Sequence, residues 1–261
     1  ENCAFCSQAS GAYSGVDHYM MQSVDQLVAG AHEAYKKKAI KYCIVTATRG
    51  PSDKQIDTIC EAVQKIKQEL PIEICTSLGL LNSEQAKRLA KAGVDRYNHN
   101  LETSERYYPK ICQTHTYRDR FDTLRFARDA GMEMCCGGIM GMGESNHDRV
   151  ELAYTLHKLE ACSIPINFLD PRPGTPLEKI TMITPLDGLR CLAMYRFVNP
   201  AAEIRIAGGR EKCLRHLQPL ALYPANSLFT EGYLTTPGQG HKNDLVMIQD
   251  AGFSIEEWHP T

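Results

Sequence analysis

The sequence predicts an α/β protein of the TIM-type (β/α)8 barrel class. Short apolar, β-branched runs alternate with amphipathic stretches of helical length, a pattern typical of repeated strand and helix units around a parallel sheet. The 261 residues fit one large domain, since such barrels reach about 250 residues as a single unit. Cysteine, asparagine and arginine residues fall near the carboxyl ends of several predicted strands, which a barrel directs to one mouth. An open doubly wound sheet is the alternative.

The first part of the chain contains two strand and helix units and a clearly bounded third helix. The predicted order is a helix at 23–38, a strand at 40–47, a helix at 52–69, a strand at 72–77 and a helix at 81–93. In that third helix Asn82 is a good N-cap, Gln85 can reach back as its capping-box partner, and Gly93 can end the helix in a left-handed conformation.

The rest of the chain continues the alternation. The predicted order is a strand at 94–100, a helix at 117–130, a strand at 132–140, a helix ending at Leu159, a strand at 163–169, a helix opened by Thr184 and Pro185, a strand at 203–207, a short helix at 211–217, a strand at 225–229 and a helix at 243–251. These seven units predict that a further strand precedes Glu1. Residues 1–261 are therefore expected to be a single barrel domain whose first strand lies upstream.

The charge balance indicates a small-molecule partner. The net charge is −2 at pH 7 and the pI is about 6.5, so no bulk attraction to nucleic acid or to an anionic membrane is expected. No apolar run approaches the roughly 18 residues of a membrane span, and no leader precedes Cys3. We expect a soluble cytoplasmic protein.

The eleven cysteines indicate metal binding. An odd number scattered through a long helix and strand sequence favours reduced thiols, some of them metal ligands, over a disulfide framework. Cys3 and Cys6 lie three apart and could hold one soft metal centre from one side, with a further cysteine required.

Three strand cysteines form a second candidate metal site. In a barrel, Cys43, Cys75 and Cys135 converge on the interior, and converging thiolates without a histidine pair favour an iron-sulfur cluster over zinc. Filling of the hydrophobic core is the alternative. The neighbouring Cys136 is expected to point to the opposite face and pack against a helix, or to act as a spare ligand if the strand bulges.

Polar residues on other strands are candidates for ligand binding. Asn98 and Asn100 share one strand face, with His99 pointing away in a structural role, and paired amides suit a neutral ring that carries N–H and C=O groups. Asn167 is a third amide near the same mouth. Arg205 lies in an apolar strand and needs an anionic partner, either a cluster in the barrel or an acidic neighbour such as Glu102.

Six stretches together resemble the biotin synthase family of the radical S-adenosylmethionine superfamily over essentially the whole chain. They are Asn-Cys-Ala-Phe-Cys-Ser-Gln at 2–8, Tyr-Asn-His-Asn-Leu-Glu-Thr-Ser at 97–104, Gly-Gly-Ile-Met-Gly-Met-Gly-Glu at 137–144, Pro-Ile-Asn-Phe-Leu at 165–169, Ile-Arg-Ile-Ala-Gly-Gly-Arg-Glu at 204–211 and Tyr-Leu-Thr-Thr at 233–236. The superfamily's loop is Cys-x-x-x-Cys-x-x-Cys. Cys3 and Cys6 match its last two positions, so the first cysteine would lie two residues before Glu1.

The resemblance implies a sulfur-transferring enzyme with two clusters. A 4Fe-4S cluster on Cys3 and Cys6 would cleave S-adenosylmethionine to a 5′-deoxyadenosyl radical, which takes hydrogen from dethiobiotin. An auxiliary cluster on Cys43, Cys75, Cys135 and Arg205 would donate the sulfur that completes biotin. Its familiar form is 2Fe-2S, and the additional Cys136 leaves another cluster type possible.

The resemblance also implies binding residues and partners. Residues expected at S-adenosylmethionine are Asn100, Glu102, where aspartate is common, Arg120, Gly141 and Glu144. Residues expected at dethiobiotin are Asn98, Asn100, Asn167, Thr235 and Thr236. A reducing electron-donor protein and a homodimer are expected. Two alternatives stay open: another radical S-adenosylmethionine barrel that builds a metallocofactor, and a cysteine-rich barrel that binds metal only structurally.

Overall fold

The computed structural model describes residues 1–11, 19–37, 39–230 and 238–256. These residues divide into two compact units. The β1–β4 unit comprises 19–37, 39–99 and 118–135, and the β5–β8 unit comprises 1–11, 100–117, 136–230 and 238–256. No helix in these described ranges is both long enough and apolar enough to cross a membrane.

The β1–β4 unit alternates helices and strands. In chain order its elements are α1 (Val24–Lys36), β1 (Lys41–Val45), α2 (Asp53–Glu69), β2 (Glu73–Ser77), α3 (Ser83–Ala92), β3 (Arg96–Asn98), α4 (Tyr117–Asp129) and β4 (Glu133–Cys135). Each strand pairs in parallel with the next, which sets Cys43 opposite Cys75 and Asn98 opposite Cys135. The alternation predicted from the sequence is therefore present here.

Local sequence fixes the ends of these helices. Capping boxes formed by Ser23 with Gln26 and by Ser52 with Gln55 open α1 and α2. The third predicted helix is confirmed in detail, because Asn82 caps α3 with Gln85 as its partner and Gly93 follows at φ 105°.

The core of this unit is apolar and continuous. One stripe of α2, spaced by three and four residues, buries Ile56, Ile59, Val63 and Ile66 completely. They join buried residues of the strands such as Ile74 in one cluster. This packing holds the strands that carry Cys43 and Cys75.

The β5–β8 unit continues the pattern with shorter strands. Its elements are a 3-10 turn (Tyr108–Lys110), β5 (Gly138–Met140), α5 (Asn146–Lys158), β6 (Ser163–Phe168), α6 (Pro185–Val198), β7 (Glu203–Ile206), α7 (Arg210–Leu214), a 3-10 turn (Arg215–Leu217), α8 (Gln218–Ala221), β8 (Ser227–Leu228) and α9 (His241–Asp250). Strands β5 to β8 pair in parallel in that order. Thr184 caps α6 with Pro185 at its first turn, as predicted.

The predicted strand at 132–140 is wrong as a single element. The structure divides it into β4 and β5, with Cys136 and Gly137 between them. A Cβ on Gly137 would lie 1.8 Å from the carbonyl oxygen of Pro165, so a close backbone approach determines the path at this point. That contact joins residues far apart in sequence, which explains why local pattern did not predict the break.

Candidate metal and cofactor site

The sulfur atoms of Cys43 and Cys75 lie 2.9 Å apart on paired strands. The side-chain amide of Asn98 donates hydrogen bonds to both, at 3.3 Å to Cys43 and 2.9 Å to Cys75. Cys75 and Cys135 are buried, whereas Cys43 is exposed. The structure therefore brings two of the predicted thiols together and places Cys135 in register beside Asn98.

The other atom of the Asn98 amide indicates that this place is built for a ligand. Its Oδ1 is buried and, within the residues that the structure describes, accepts no hydrogen bond. An unsatisfied buried oxygen costs about 1–3 kcal/mol, so a bound group with an N–H donor would stabilise it. Two adjacent thiols with an N–H donor also suit the anionic sulfur environment of a cluster. The residues present therefore fit an iron-sulfur cluster beside a bound molecule that carries an N–H group.

The N-terminal cysteine loop lies in the β5–β8 unit. The backbone N–H of Cys6 donates to the carbonyl of Cys3 at 3.0 Å, which makes a tight turn between them. Cys3 is buried and its sulfur lies 3.7 Å from that of Cys112. Cys112 in turn contacts the imidazole of His115 at 3.3 Å. This turn fits the expected role of Cys3 and Cys6 as neighbouring ligands of one soft metal centre.

Sequence reasoning missed Cys112 and His115. Burial opposes ionisation of Cys112, but hydrogen bonds from Thr114 and His115 outweigh it and hold the pKa of this thiol below its ordinary value. The signal that was available is the Cys-x-x-His spacing within one turn.

The segment after β3 positions the residues predicted for S-adenosylmethionine. The Oδ1 of Asn100 accepts from the backbone N–H of Gly137 at 3.0 Å. Glu102 is buried and adopts φ 68°, a left-handed conformation that is costly for a non-glycine residue. Its carbonyl accepts from Ile139 at 2.9 Å, which ties this strained residue to β5.

The turn from Gly141 to Glu144 is organised by its own carboxylate. The two oxygens of Glu144 accept from the backbone N–H groups of Gly141 at 2.8 Å and Met142 at 2.7 Å, and Arg149 pairs with the same carboxylate at 2.7 Å. Glu144 therefore shapes the backbone of the turn that contains Gly141 and Glu144, the two residues predicted here to bind S-adenosylmethionine.

Asn167 and Arg205 have defined partners in the β5–β8 unit. The Asn167 amide donates to the carbonyl of Gly138 at 3.3 Å and accepts from the backbone of Gly208 at 2.9 Å. Arg205 pairs with Glu203, so the acidic neighbour is Glu203 and not the expected Glu102. Its guanidinium also lies over the ring of Phe229 at 5.1 Å.

The remaining predicted positions are less informative. Arg120 lies half-buried in the first turn of α4. Thr235 and Thr236 fall outside the described residues. His99 is buried with its ring 6.2 Å from that of Tyr97, and its structural role stays a prediction.

Several cysteines are packing residues. Burial raises the pKa of Cys191 to about 11 and that of Cys213 to about 12, so both remain thiols at neutral pH. Cys136 is fully buried at the break between β4 and β5, and its backbone N–H donates to Ser163 at 2.9 Å. For these thiols the structure favours a packing role.

Two family models match the chain. The Radical SAM superfamily model matches residues 1–156, and the Biotin and Thiamin Synthesis associated domain model matches residues 165–254. The first alone covers more than half of the 261 residues.

Curated relatives match nearly the whole chain. The chain is 54% identical over 253 residues to biotin synthase from Salinibacter ruber, covering 97% of this chain and 70% of that protein. It is 51% identical over 257 residues to biotin synthase from Bacillus cytotoxicus, covering 98% of this chain and 77% of that protein.

Solved structures share the fold at low identity. The FeFe-hydrogenase maturase HydG from Carboxydothermus hydrogenoformans superposes with a TM-score of 0.79 at 17% identity, and the chain spans 97% of its own length and 63% of the maturase's. Methylornithine synthase (PylB) superposes with a TM-score of 0.77 at 17% identity over 98% of this chain and 79% of that one. Together with the family model, these likenesses confirm the predicted TIM-type (β/α) class. The match to curated relatives at about half identity over most of both proteins shows that the chain belongs to the biotin synthase family of the radical SAM superfamily.

Proposed function

We propose that this chain converts dethiobiotin to biotin by inserting sulfur drawn from an auxiliary iron-sulfur cluster. The observation that carries the proposal is the pair of sulfurs of Cys43 and Cys75, 2.9 Å apart, bridged by the Asn98 amide. Membership of the radical SAM superfamily implies a 4Fe-4S cluster and S-adenosylmethionine. A superfamily member that only cleaved S-adenosylmethionine would have no need of this second set of thiols.

Two sets of residues would hold the iron-sulfur groups. Cys3 and Cys6 would hold the 4Fe-4S cluster, and the tight turn between them fits two ligands of one centre. The auxiliary cluster, 2Fe-2S in our proposal, would be held by Cys43, Cys75, Cys135 and Arg205. Another cluster type is the alternative that Cys136 raises, although its complete burial at the strand break favours packing.

The bound groups would supply the electron, the radical that removes hydrogen from carbon, and the sulfur, while the protein positions the reactants and excludes water. Asn100, Glu102, Arg120, Gly141 and Glu144 would bind S-adenosylmethionine. Glu144 acts through the backbone, because both of its oxygens hold the turn. No acid or base residue is required by this chemistry.

The substrate would be addressed by amides and hydroxyls. Asn98, Asn100 and Asn167 would bind the ureido ring of dethiobiotin, and Thr235 and Thr236 would lie near its carboxylate. The buried Oδ1 of Asn98 supports this role because a ureido N–H would satisfy it. Asn167 uses one amide proton and its oxygen on the backbone, and its remaining amide proton is the one proposed for the substrate.

The cellular setting completes the proposal. All eleven cysteines are free thiols, and cluster assembly needs reduced thiols, so we propose a cytoplasmic enzyme. We propose that the chain forms a single barrel domain and that two copies form a homodimer. A reducing protein would supply its electrons. Sizing of the purified protein by light scattering tests the dimer.

One experiment separates this function from its rivals. The protein, in a form extended at its N-terminus to include the first cysteine that the superfamily loop implies, is reconstituted anaerobically with iron and sulfide. It is then incubated with S-adenosylmethionine, reductant and dethiobiotin. We expect iron and sulfide for two clusters, together with methionine and biotin. Methionine without biotin would indicate a different radical SAM reaction. A colourless protein that binds only zinc would contradict enzymatic function altogether.

A further inference from the structure

A compact group of metal-binding side chains lies in the β5–β8 unit apart from the strand cysteines. Cys3, Cys112 and His115 are buried to 7%, 3% and 6% exposure, and their ligand atoms all lie within 4.8 Å of one another. Only Cys3 belongs to the cluster loop. The other two have no role in the proposed function.

The distances match a mononuclear tetrahedral site. Zinc binds thiolate sulfur at about 2.3 Å and imidazole nitrogen at about 2.0 Å, which places neighbouring sulfurs about 3.8 Å apart and sulfur about 3.6 Å from nitrogen. Here the two sulfurs are 3.7 Å apart, and the Cys112 sulfur lies 3.3 Å and 3.9 Å from the two nitrogens of His115. These three distances lie within a few tenths of an ångström of the tetrahedral values, and all the ligand atoms of the group lie within 4.8 Å of one another.

The imidazole of His115 already contacts a carboxylate. Its Nδ1 lies 2.9 Å from a carboxylate oxygen of Glu1, and a metal-binding histidine usually donates its second N–H to such a carboxylate. The other nitrogen, Nε2, now contacts the hydroxyl of Tyr108 at 2.8 Å and would turn from that hydroxyl to the ion.

The backbone holds the two cysteine segments together. The N–H of Ala4 donates to the carbonyl of Ile111 at 2.8 Å, which fixes the residues next to Cys3 and Cys112 against each other. The side chain of Asn2 accepts from the backbone of Gln113 at 3.0 Å. The two cysteine segments are therefore already ordered, so ion binding costs little conformational entropy.

We propose that Cys3, Cys112 and His115 bind one zinc ion, and that zinc bound there keeps Cys3 from the 4Fe-4S cluster. Thiolate and imidazole ligands select zinc over magnesium or calcium, and zinc over ferrous iron at equal availability. Binding releases the two thiol protons to solvent and involves no redox change. Water or another side chain completes the coordination. Zinc binding by these residues does not depend on the proposed function. The competition for Cys3 does rest on the proposed function, because it requires Cys3 to be a ligand of the 4Fe-4S cluster.

Cobalt provides the direct test. Metal-free protein titrated anaerobically with Co²⁺ should give sulfur-to-metal charge-transfer absorption and the visible bands of tetrahedral cobalt at one equivalent, and zinc should abolish both. Cys112→Ser and His115→Ala should weaken zinc binding at least about tenfold. Cys60→Ala, which changes a half-buried thiol on α2, should not alter binding.

The strand thiols need their own control. Because the sulfurs of Cys43 and Cys75 also lie close together, the same spectrum must persist in Cys75→Ala. Unchanged cobalt binding in both Cys112→Ser and His115→Ala would overturn the zinc site. If either variant unfolds, loss of zinc-dependent thermal stabilisation in the other decides the outcome, with Cys60→Ala as the reference.

The competition has a separate readout. Wild-type protein loaded with zinc should take up less iron and sulfide than zinc-treated Cys112→Ser. Equal uptake, with zinc binding intact, would overturn the competition. No uptake by either protein, even without zinc, would contradict the proposed function while the cobalt result still stands.

Discussion

The side-chain amide of Asn98 donates to the sulfurs of both Cys43 and Cys75, although its sequence position suggested only a contact with substrate. An amide proton aimed at sulfur stabilises negative charge there, since hydrogen bonds to ionised acceptors are stronger than neutral ones. Asn98 therefore has a second task in our proposal, which is to stabilise the thiolates of the auxiliary cluster.

Replacing the Asn98 amide should lower the amount of auxiliary iron and sulfide that the protein binds, and a negatively charged replacement should lower it further than a neutral one. In Asn98→Ala the N–H donor is lost, whereas Asn98→Asp places a carboxylate beside two thiolates and repels them. We expect intermediate auxiliary iron and sulfide in the alanine variant and less than about a tenth of the wild-type amount in the aspartate variant. Iron and acid-labile sulfide analysis after reconstitution measures both. Wild-type content in both variants would remove Asn98 from the cluster environment.

Glu102 combines burial with a strained backbone. Aspartate tolerates its left-handed conformation better than glutamate does and keeps the charge, so Glu102→Asp should retain S-adenosylmethionine binding and unfold at an equal or higher temperature. The family resemblance implies that Glu102 holds the ribose of S-adenosylmethionine. If it does, Glu102→Gln removes the charge that would strengthen hydrogen bonds from the ribose hydroxyls, and the affinity for S-adenosylmethionine should fall about tenfold. Equilibrium dialysis compares the two. Equal binding by wild type and Glu102→Gln would argue against the ribose contact.

The start of α5 is held by a buried carboxylate. Asp148 completes the capping box with Ser145 and also accepts from Ser104 at 2.6 Å and Arg106 at 2.7 Å. Burial acts to raise the pKa of Asp148, but these hydrogen bonds outweigh it and hold that pKa well below its usual range. The helix that follows the Gly141 to Glu144 turn therefore depends on an ionised Asp148.

This dependence predicts a pH profile. Because the folded-state pKa is lowered, the stabilisation is present above the unfolded-state pKa of about 3.9 and is lost as the pH falls through the folded-state pKa. Asp148→Asn should lower the free energy of unfolding by about 2 kcal/mol at pH 7, and the difference should shrink toward pH 3. Urea unfolding at both pH values measures this. Asp187→Asn is the control, since Asp187 caps α6 in the same way but is partly exposed. An equal loss in both variants would refute the role of burial.

The break between β4 and β5 also predicts a measurable cost. Gly137→Ala should destabilise the protein by about 3 kcal/mol or more, because its Cβ would overlap the Pro165 carbonyl. Gly131→Ala has open space at φ 90° and should cost only about 1–2 kcal/mol for the left-handed backbone. Denaturant unfolding compares them. Similar costs would mean that the backbone at Gly137 can move aside.

Which elements could be predicted depended on the range of the interactions that form them. The caps at Asn82 and Thr184 use partners three residues away, so the sequence was sufficient to predict them. The break at Gly137 depends on Pro165, and the contact of Cys3 with Cys112 spans 109 residues. Neither follows from a local pattern.

Some features of the candidate site could likewise be predicted from the sequence, and others could not. The approach of Cys43 to Cys75 followed from the expected parallel pairing of their strands, whose register sets them opposite each other. The pairing of Arg205 with Glu203 was missed, although residues two apart on one strand share a face and the local pattern was sufficient to indicate it. Ligation by these residues stays a prediction.

At the scale of the whole molecule, the family resemblance inferred from six motifs is confirmed by the two family models and by the curated relatives. The solved structures at 17% identity share the fold alone and do not choose between reactions. The reaction is therefore assigned by the relatives' named activity together with the strand thiols. The central claim is that those thiols hold the sulfur source.

Simultaneous measurement of both products of the reconstituted Cys75→Ala variant tests this claim most directly. In our proposal Cys75 holds the auxiliary cluster and not the 4Fe-4S cluster, so cleavage of S-adenosylmethionine should stay measurable as methionine while biotin falls below detection. Cys60→Ala is the matched control and should form both. Equal loss of methionine and biotin in Cys75→Ala, or biotin formed at the wild-type level, would contradict the account.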